Sequence, residues 1–329
     1  MFQKRVLLSK YSNFKIGGPA KYFFEAKNVE EIIKAVKLAK RLKTPFFILG
    51  GGTNILFSDK GFNGLVLKPN IKFIKRNGNF LRVGVGVQIS QLLNYSINNN
   101  LTGLEWSAGI PGTIGGAVRG NAGAFGGEMK DIITEVSSLD ISEARFKIIK
   151  RKKSDCCFGY RSSIFSAEGG SVSGGKNSKT KEIITEVVLR LKKGEKSKIK
   201  EIINRNISYR RKNHPLGYPS AGSVFKNVDI VDFHEYEREY RKYLNKRFVK
   251  ISGKFAPIND GKIPAAYLIA EADLKGISRG GAMISSKHPN FIVNISNATA
   301  KDVKNLIKLA KKEVKNKFKV DLEEEIVFV

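Results

Sequence analysis

A chain of 329 residues and 36.5 kDa is too long for one small module and fits two or three compact units. With 41% hydrophobic and 10% aromatic residues it can bury a core, which excludes wholesale disorder. Its 59 Lys+Arg against 30 Asp+Glu give +29 and a sequence pI near 10.0, which fits either a polyanion-binding surface or a lysine-rich coat on an ordinary enzyme.

The stretch Met1 to Lys10 is basic but carries no signal-peptide core, and no apolar run is long enough to span a bilayer. A cytoplasmic protein is expected. Val29 to Lys43 is patterned as an amphipathic helix, with Ile32, Ile33, Val36, Ala39 and Leu42 on one face. Asn28 suits its N-cap, with Glu31 at the capping-box position. Pro45 to Leu49 reads as a buried strand running into Gly50-Gly51-Gly52. Leu65 to Gly86 reads as short strands with a turn at Asn77-Gly78, and Ser90 as the cap of a helix to about Asn100. Gly109 to Gly127 is too dense in glycine for the interior of a helix or strand. Glu168 to Lys181 reads as an exposed Gly/Ser/Lys loop, and Lys196 to Lys212 as a basic helix. After His214-Pro215 a second α/β unit begins. It holds a helix near Pro264–Ala272, a long one from Lys301 to about Lys317 capped by Thr299, and a closing strand Leu322–Val329.

Several motifs fail on chemistry. Cys156 and Cys157 are adjacent, so no disulfide framework is expected; with His214, His234 and His288 they offer no metal-ligand spacing. Gly170 to Asn177 nearly spells a P-loop, but Asn177 stands where a magnesium-holding Ser or Thr is required. Gly84-Val85-Gly86 lacks the third glycine of a dinucleotide fingerprint. A nucleic-acid-binding protein is the alternative outside enzymology. Against it, the cations are mostly lysines spread over outer helix faces, with no zinc finger and no paired RNA-stacking aromatics.

Two stretches hold. Gly50, Gly51 and Gly52 would let backbone N–H groups face a pyrophosphate closely, with Thr53, Asn54 and Ile55 following. Gly109, Ile110, Pro111, Gly112, Thr113, Gly115, Gly116, Ala117, Asn121, Ala122, Gly123 and Ala124 form a second backbone-rich cradle. Two such cradles suit an extended diphosphate ligand such as a dinucleotide.

With these cradles, an ordered set of motifs resembles the UDP-N-acetylenolpyruvoylglucosamine reductases (UDP-N-acetylmuramate dehydrogenases) over nearly the whole chain. The set includes Asn13 to Ala20, Tyr160-Arg161-Ser162-Ser163-Ile164-Phe165 and Pro219-Ser220-Ala221-Gly222-Ser223-Val224-Phe225-Lys226-Asn227. It continues with Ile263 to Ile269, Leu274-Lys275-Gly276, His288-Pro289-Asn290-Phe291 and Leu322-Glu323-Glu324-Glu325-Ile326. The resemblance implies an α+β fold: a PCMH-type FAD-binding region of two subdomains, 1–68 and 69–200, and a C-terminal α/β substrate-binding domain, 201–329. It implies non-covalent FAD, NADPH as hydride donor and a UDP-sugar substrate, with no metal, nucleic-acid or membrane partner. A monomer is favoured.

The implied catalytic residues are Arg161 on the developing enolate, Ser223 as proton donor and Glu325 as the partner of Arg161. Strand alternation puts Glu323 and Glu325 on one side and Glu324 on the other, so Glu325 is chosen with Glu323 as fallback. Tyr160, Lys226, Asn227, His288 and Asn290 are implied substrate contacts. Lys212 is taken from the basic group Arg210-Arg211-Lys212 for the diphosphate. The enzyme alternative is another FAD oxidoreductase of this fold acting on an alcohol or hydroxy acid. Every histidine lies at 214 or later, which excludes a histidyl-flavin in the N-terminal half. The 168–181 loop and the stretch Val228–Lys262, read as a lid or an interface, depart from the family pattern.

Overall fold

The computed structural model describes residues 2–142, 146–166, 182–233, 248–251 and 254–329. β1 (Gln3–Leu7), β2 (Pro19–Ala26), β3 (Phe46–Ile48) and β5 (Phe62–Pro69) form one sheet in the order β1-β2-β5-β3. Its last three strands are parallel, and β1 is antiparallel to β2. Between β2 and β3, α1 (Val29–Arg41) buries Ile32, Ala35, Val36 and Ala39, the stripe set by its 3.6-residue period. The Asn28 side chain accepts from Glu31 N at 2.9 Å. The Glu31 carboxylate takes the Lys27 N–H instead of Asn28's, so the capping box closes one residue early. β4 (Ile55–Leu56) follows the first glycine cradle.

The second sheet is antiparallel throughout. β6 (Ile74–Asn77), β7 (Phe80–Gly84), β8 (Ile133–Asp140), β9 (Lys147–Lys152) and β10 (Glu182–Arg190) take the order β9-β8-β10-β7-β6. Leu81, Val83, Val187 and Leu189 are fully buried from neighbouring strands. α2 (Ile89–Asn98) starts at Gln88, whose N–H the Gln91 side chain accepts at 3.1 Å. Ser90 is exposed inside the first turn, because burial of Ile89 draws the helix start forward. The glycine-dense segment holds a helix after all, α3 (Ile114–Arg119). Gly115 permits it: a Cβ there would stand 2.9 Å from Val85 Cβ, so the helix lies closer to the sheet than any larger residue allows.

α4 (Lys196–Asn213) buries Ile199, Ile203 and Asn206 and leads to the third sheet. There β11 (Ser220–Ser223), β12 (Ser278–Arg279), β13 (Ala282–Ile284) and β14 (Phe291–Asn294) take the antiparallel order β11-β14-β13-β12. α5 (Ala265–Glu271) and α6 (Ala300–Phe318) cover this sheet's core. Thr299 Oγ1 accepts from Asp302 N at 3.1 Å while Asp302 accepts from Thr299 N at 2.9 Å, the reciprocal cap the sequence announces.

The expected strand Leu322–Val329 is shorter. A lone bridge joins Phe225 to Glu324, and β15 (Val327–Phe328) pairs in parallel with β4. The chain bends between them because it changes partners: Glu325 N donates to Val224 O at 2.7 Å, and Val327 N donates to Asn54 O at 3.0 Å. The Gly170–Asn177 near-motif, the 168–181 loop and residues 234–247 of the expected lid lie outside the described residues.

Thr299→Ala should destabilise the third unit by about 1 kcal/mol, the usual worth of an N-cap. Lys301→Ala, at an exposed position of the same turn, should leave the urea midpoint unchanged.

Candidate active site

A cleft of about 810 Å³ runs between the two glycine cradles, the end of α4 and the β11 region. Its lining includes Gly51, Thr53, Asn54, Gly109, Ile110, Pro111, Gly112, Thr113, Gly116, Ala117, Ala122, Gly123 and Ala124. The cradles touch each other: a Cβ on Gly51 would stand 2.7 Å from Gly112 Cα. Gly112 itself has φ +120°, a conformation only glycine holds without strain. Among the described residues, the N–H groups of Gly50 to Asn54 have no protein acceptor. Clustered open N–H groups beside a surface too close-packed for side chains fit a diphosphate lying on the backbone.

The other expected cradle residues lie behind this lining. Gly52, at φ +67°, packs on Tyr11 O, Gly50 faces Thr113, and Ile55 is buried in β4. Asn121 is fully buried at φ +43°. Its amide donates to Gly159 O at 2.9 Å and to Glu128, and its oxygen accepts from Lys130 N at 2.9 Å. It pins the corner of the second cradle to the turn that carries Arg161.

Arg161, Ser223 and Glu325 line the same cleft although they come from three distant segments. Arg161 sits at φ +52° in the turn closed by the Gly159–Ser162 bridge. Its Nε lies 2.9 Å from Glu325 Oε1, and its Nη2 donates to Gly123 O at 2.9 Å. Burial lifts the Glu325 carboxyl above the usual carboxylate range, against the opposing pull of Arg161 and Lys226. Glu323 pairs with Lys226 in an exposed position, and Glu324 turns away to Lys311 on α6 at 2.9 Å. The side chain that meets Arg161 is Glu325.

Most of the residues expected to contact substrate also brace this constellation. Asn290 is buried and grips Phe225 at both ends, accepting from its N at 3.0 Å and donating to its O at 2.9 Å. Asn227 accepts from Ala265 N at 3.2 Å, and its own N–H donates to Tyr160 Oη at 3.2 Å. The Tyr160 ring lies between Arg161 and Lys262, 5.3 and 5.1 Å from its centre. None of these, nor Lys226, lines the cleft. Lys212 is exposed outside it; Arg210, two residues earlier on α4, turns in and donates from Nε to Ala108 O at 2.8 Å.

His288 does line the cleft, together with His214, Leu216, Tyr218 and Arg119, which sequence reasoning did not single out. Arg119 was legible as the one cation inside the second cradle; His214 carried no pattern. The two imidazoles lie 5.2 Å apart against Phe291. Burial, helped by the nearby charges of Arg210 and Lys287, pushes His214 down to about 4. Burial also lowers His288, so both rings are neutral at pH 7. The cleft's side chains supply Lys15, Arg119, Arg161 and Arg210 as cations against one carboxylate, Glu325, a balance suited to an anionic ligand.

The FAD binding domain family model matches residues 20–145, and that of the UDP-N-acetylenolpyruvoylglucosamine reductase C-terminal domain matches residues 214–329. A UDP-N-acetylenolpyruvoylglucosamine reductase of Alkaliphilus metalliredigens is 38% identical over 321 residues, 97% of this chain and 90% of its own. The chain belongs to the UDP-N-acetylenolpyruvoylglucosamine reductase family. The family member of Clostridium botulinum (strain Alaska E43 / Type E3) is 34% identical over 98% of this chain. The crystal structure of the Thermus caldophilus reductase matches with a TM-score of 0.73 and 29% identity, over 100% of this chain and 99% of that one.

Between pH 6.5 and about 4 the unfolded chain takes up a proton at His214 that the folded chain refuses. Stability should therefore fall as pH drops through this window. His214→Asn should flatten that fall, measured as urea midpoints at pH 7 and pH 5.

Proposed function

We infer that the protein is an FAD-dependent, NADPH-linked reductase. It converts the enolpyruvyl ether of UDP-N-acetylglucosamine to UDP-N-acetylmuramate, a peptidoglycan precursor. The observation that carries this reading is the meeting of Arg161, Glu325 and Ser223 in one cation-rich cleft floored by two glycine cradles. When bound on those cradles, FAD supplies the hydride, taken from NADPH and delivered to the vinyl carbon of the substrate.

Negative charge then develops on the substrate's carboxylate as an enolate. Arg161 is fixed by Gly123 O and Glu325, so its planar guanidinium is oriented before the reaction begins. Burial raises the proton affinity of Glu325, so it holds a proton toward the same enolate more readily than an exposed carboxyl would. Ser223 is at the end of β11, after Gly222 at φ +79°, which turns the backbone so that the serine faces the cleft. Its hydroxyl protonates the neighbouring carbon. A serine is a weak acid in water; here the acceptor is an adjacent carbanionic centre in a preorganised site. Arg210 takes the substrate diphosphate in place of Lys212.

On this reading residues 1–68 and 69–200 are the two FAD-binding subdomains, and residues 201–329 bind the UDP-sugar. The distribution of the three sheets supports that division. One chain supplies every group named, which supports a monomer. NADPH and a UDP-sugar as reactants support a cytoplasmic enzyme. Among the described residues no helix is long and apolar enough to cross a membrane.

Purified protein should be yellow, and substrate added to the NADPH-reduced protein should reoxidise the flavin without oxygen. Absence of both would overturn the assignment. Ser223→Ala should keep flavin reduction by NADPH and slow anaerobic reoxidation by substrate on the order of 10²–10⁴-fold. Glu325→Gln should act on the same step, whereas Glu324→Gln should stay close to wild type; stopped-flow traces of each half-reaction decide.

A further inference from the structure

Among the described residues the half-buried arginines are Arg119, Arg151, Arg161 and Arg210. Three of them have acceptors. Arg151 forks onto Glu182 at 2.6 and 3.2 Å, Arg161 meets Glu325 and Gly123, and Arg210 donates to Ala108 O. Arg119 differs. Its guanidinium has no carboxylate, carbonyl or hydroxyl acceptor among the described residues, and burial alone acts on its charge. A guanidinium stays protonated in proteins, so neutralisation cannot relieve this burial. Its side chain opens onto the cleft, so an anionic ligand lying there meets a cation that no described protein group has already paired.

Position says which ligand. Arg119 closes α3, within the second cradle, and lines the cleft with Gly116, Ala117 and Gly120. Its carbonyl accepts from Ser163 Oγ at 2.7 Å, which ties it to the turn carrying Arg161. The groups assigned to the UDP-sugar, Ser223 and Arg210, come instead from β11 and α4.

We propose that Arg119 is the counter-ion of bound FAD: its guanidinium holds a negatively charged oxygen edge of the cofactor, in the diphosphate or in the ring system after reduction. This rests on the FAD reading above. It assigns to the second cradle an electrostatic task that its glycines cannot perform. Unlike Arg151, Arg161 and Arg210, Arg119 has no acceptor among the described residues that would compete with the ligand for its charge.

The test uses Arg119→Gln, which keeps the hydrogen-bonding shape, and Arg119→Lys, which keeps the charge. Affinity of the apoprotein for FAD is read by fluorescence quenching at several salt concentrations. The midpoint potential of the reconstituted protein is read by dye equilibration. A diphosphate contact predicts about tenfold or more weaker binding of oxidised FAD in Arg119→Gln and a shallower salt dependence, at unchanged potential. A contact to the reduced ring predicts unchanged binding of oxidised FAD and a more negative potential. In either case Arg119→Lys should recover most of the loss. If Arg119→Gln folds, binds FAD within twofold of wild type and keeps its potential, the proposal is overturned, even if the KM for the enolpyruvyl substrate rises. If wild-type protein binds no FAD, the functional reading falls with it.

Discussion

Glu325 is held by three parts of the chain at once, and the site exists only where those parts meet. Its carboxylate meets Arg161, its N–H donates to Val224 beside Ser223, and its carbonyl accepts from the Asn54 side chain at 2.8 Å. Asn54 belongs to the first glycine cradle and lies 271 positions away in sequence. The groups read as cofactor cradle, anion holder and proton donor thus share one residue as their common reference. A displacement of any unit would move the Arg161–Glu325 pair relative to the cleft floor. A misplacement of about 1 Å is enough to cost a reaction of this kind orders of magnitude. The parallel pairing of β15 with β4 just after Glu325 holds the junction, because Val327 N donates to Asn54 O in the cradle and Val329 N to Leu56 O just after it.

The glycines serve this junction in two distinct ways. Gly51 and Gly112 let two backbones come into contact, so that one continuous floor is made from two loops. Gly115 lets α3 sit against the strand end at Val85. Where a left-handed corner instead carries a side chain, at Asn121 and Arg161, hydrogen bonds or an ion pair hold it. Such strain persists where the surroundings over-determine the geometry, and here it falls beside the proposed chemistry.

Much of this was legible in the sequence. The periodic stripes of α1 and α6, the caps at Asn28 and Thr299 and the glycine cradles depend on local chemistry, and local patterns report local chemistry. Glu325 was also readable, because alternation about the bridge at Glu324 survives even though the strand does not. What was not legible has one cause. Asn227, Asn290 and Tyr160 were read as substrate contacts because polar residues near a motif invite that reading. Each also meets a backbone or charged group from another segment, which no linear pattern reports. Arg210 lines the cleft and Lys212 does not for a simpler reason. On a helix, two residues change the facing by about 200°, so adjacent basic residues cannot share a cleft.

The same distinction separates the chain's charge into two parts. Most of its described lysines are exposed, on strands and turns as well as on helix faces, where single pairs contribute little and salt screens them within about 8–10 Å. Such a coat raises the local concentration of any anion, but FAD, NADPH and a UDP-sugar are all anionic diphosphates. A long-range field of one sign cannot tell them apart. Discrimination therefore falls to short-range groups whose positions differ. On the proposed assignment, Arg119 serves the floor of the second cradle and Arg210 the mouth beside His214, His288 and Phe291. The neutral imidazoles matter to that division. Were His214 and His288 charged, the mouth would hold a continuous cationic rim with Arg210 and would bind diphosphates without regard to what is attached. Their burial against Phe291 leaves Arg210 as a discrete positive point beside an aromatic surface, which suits one diphosphate joined to one planar base.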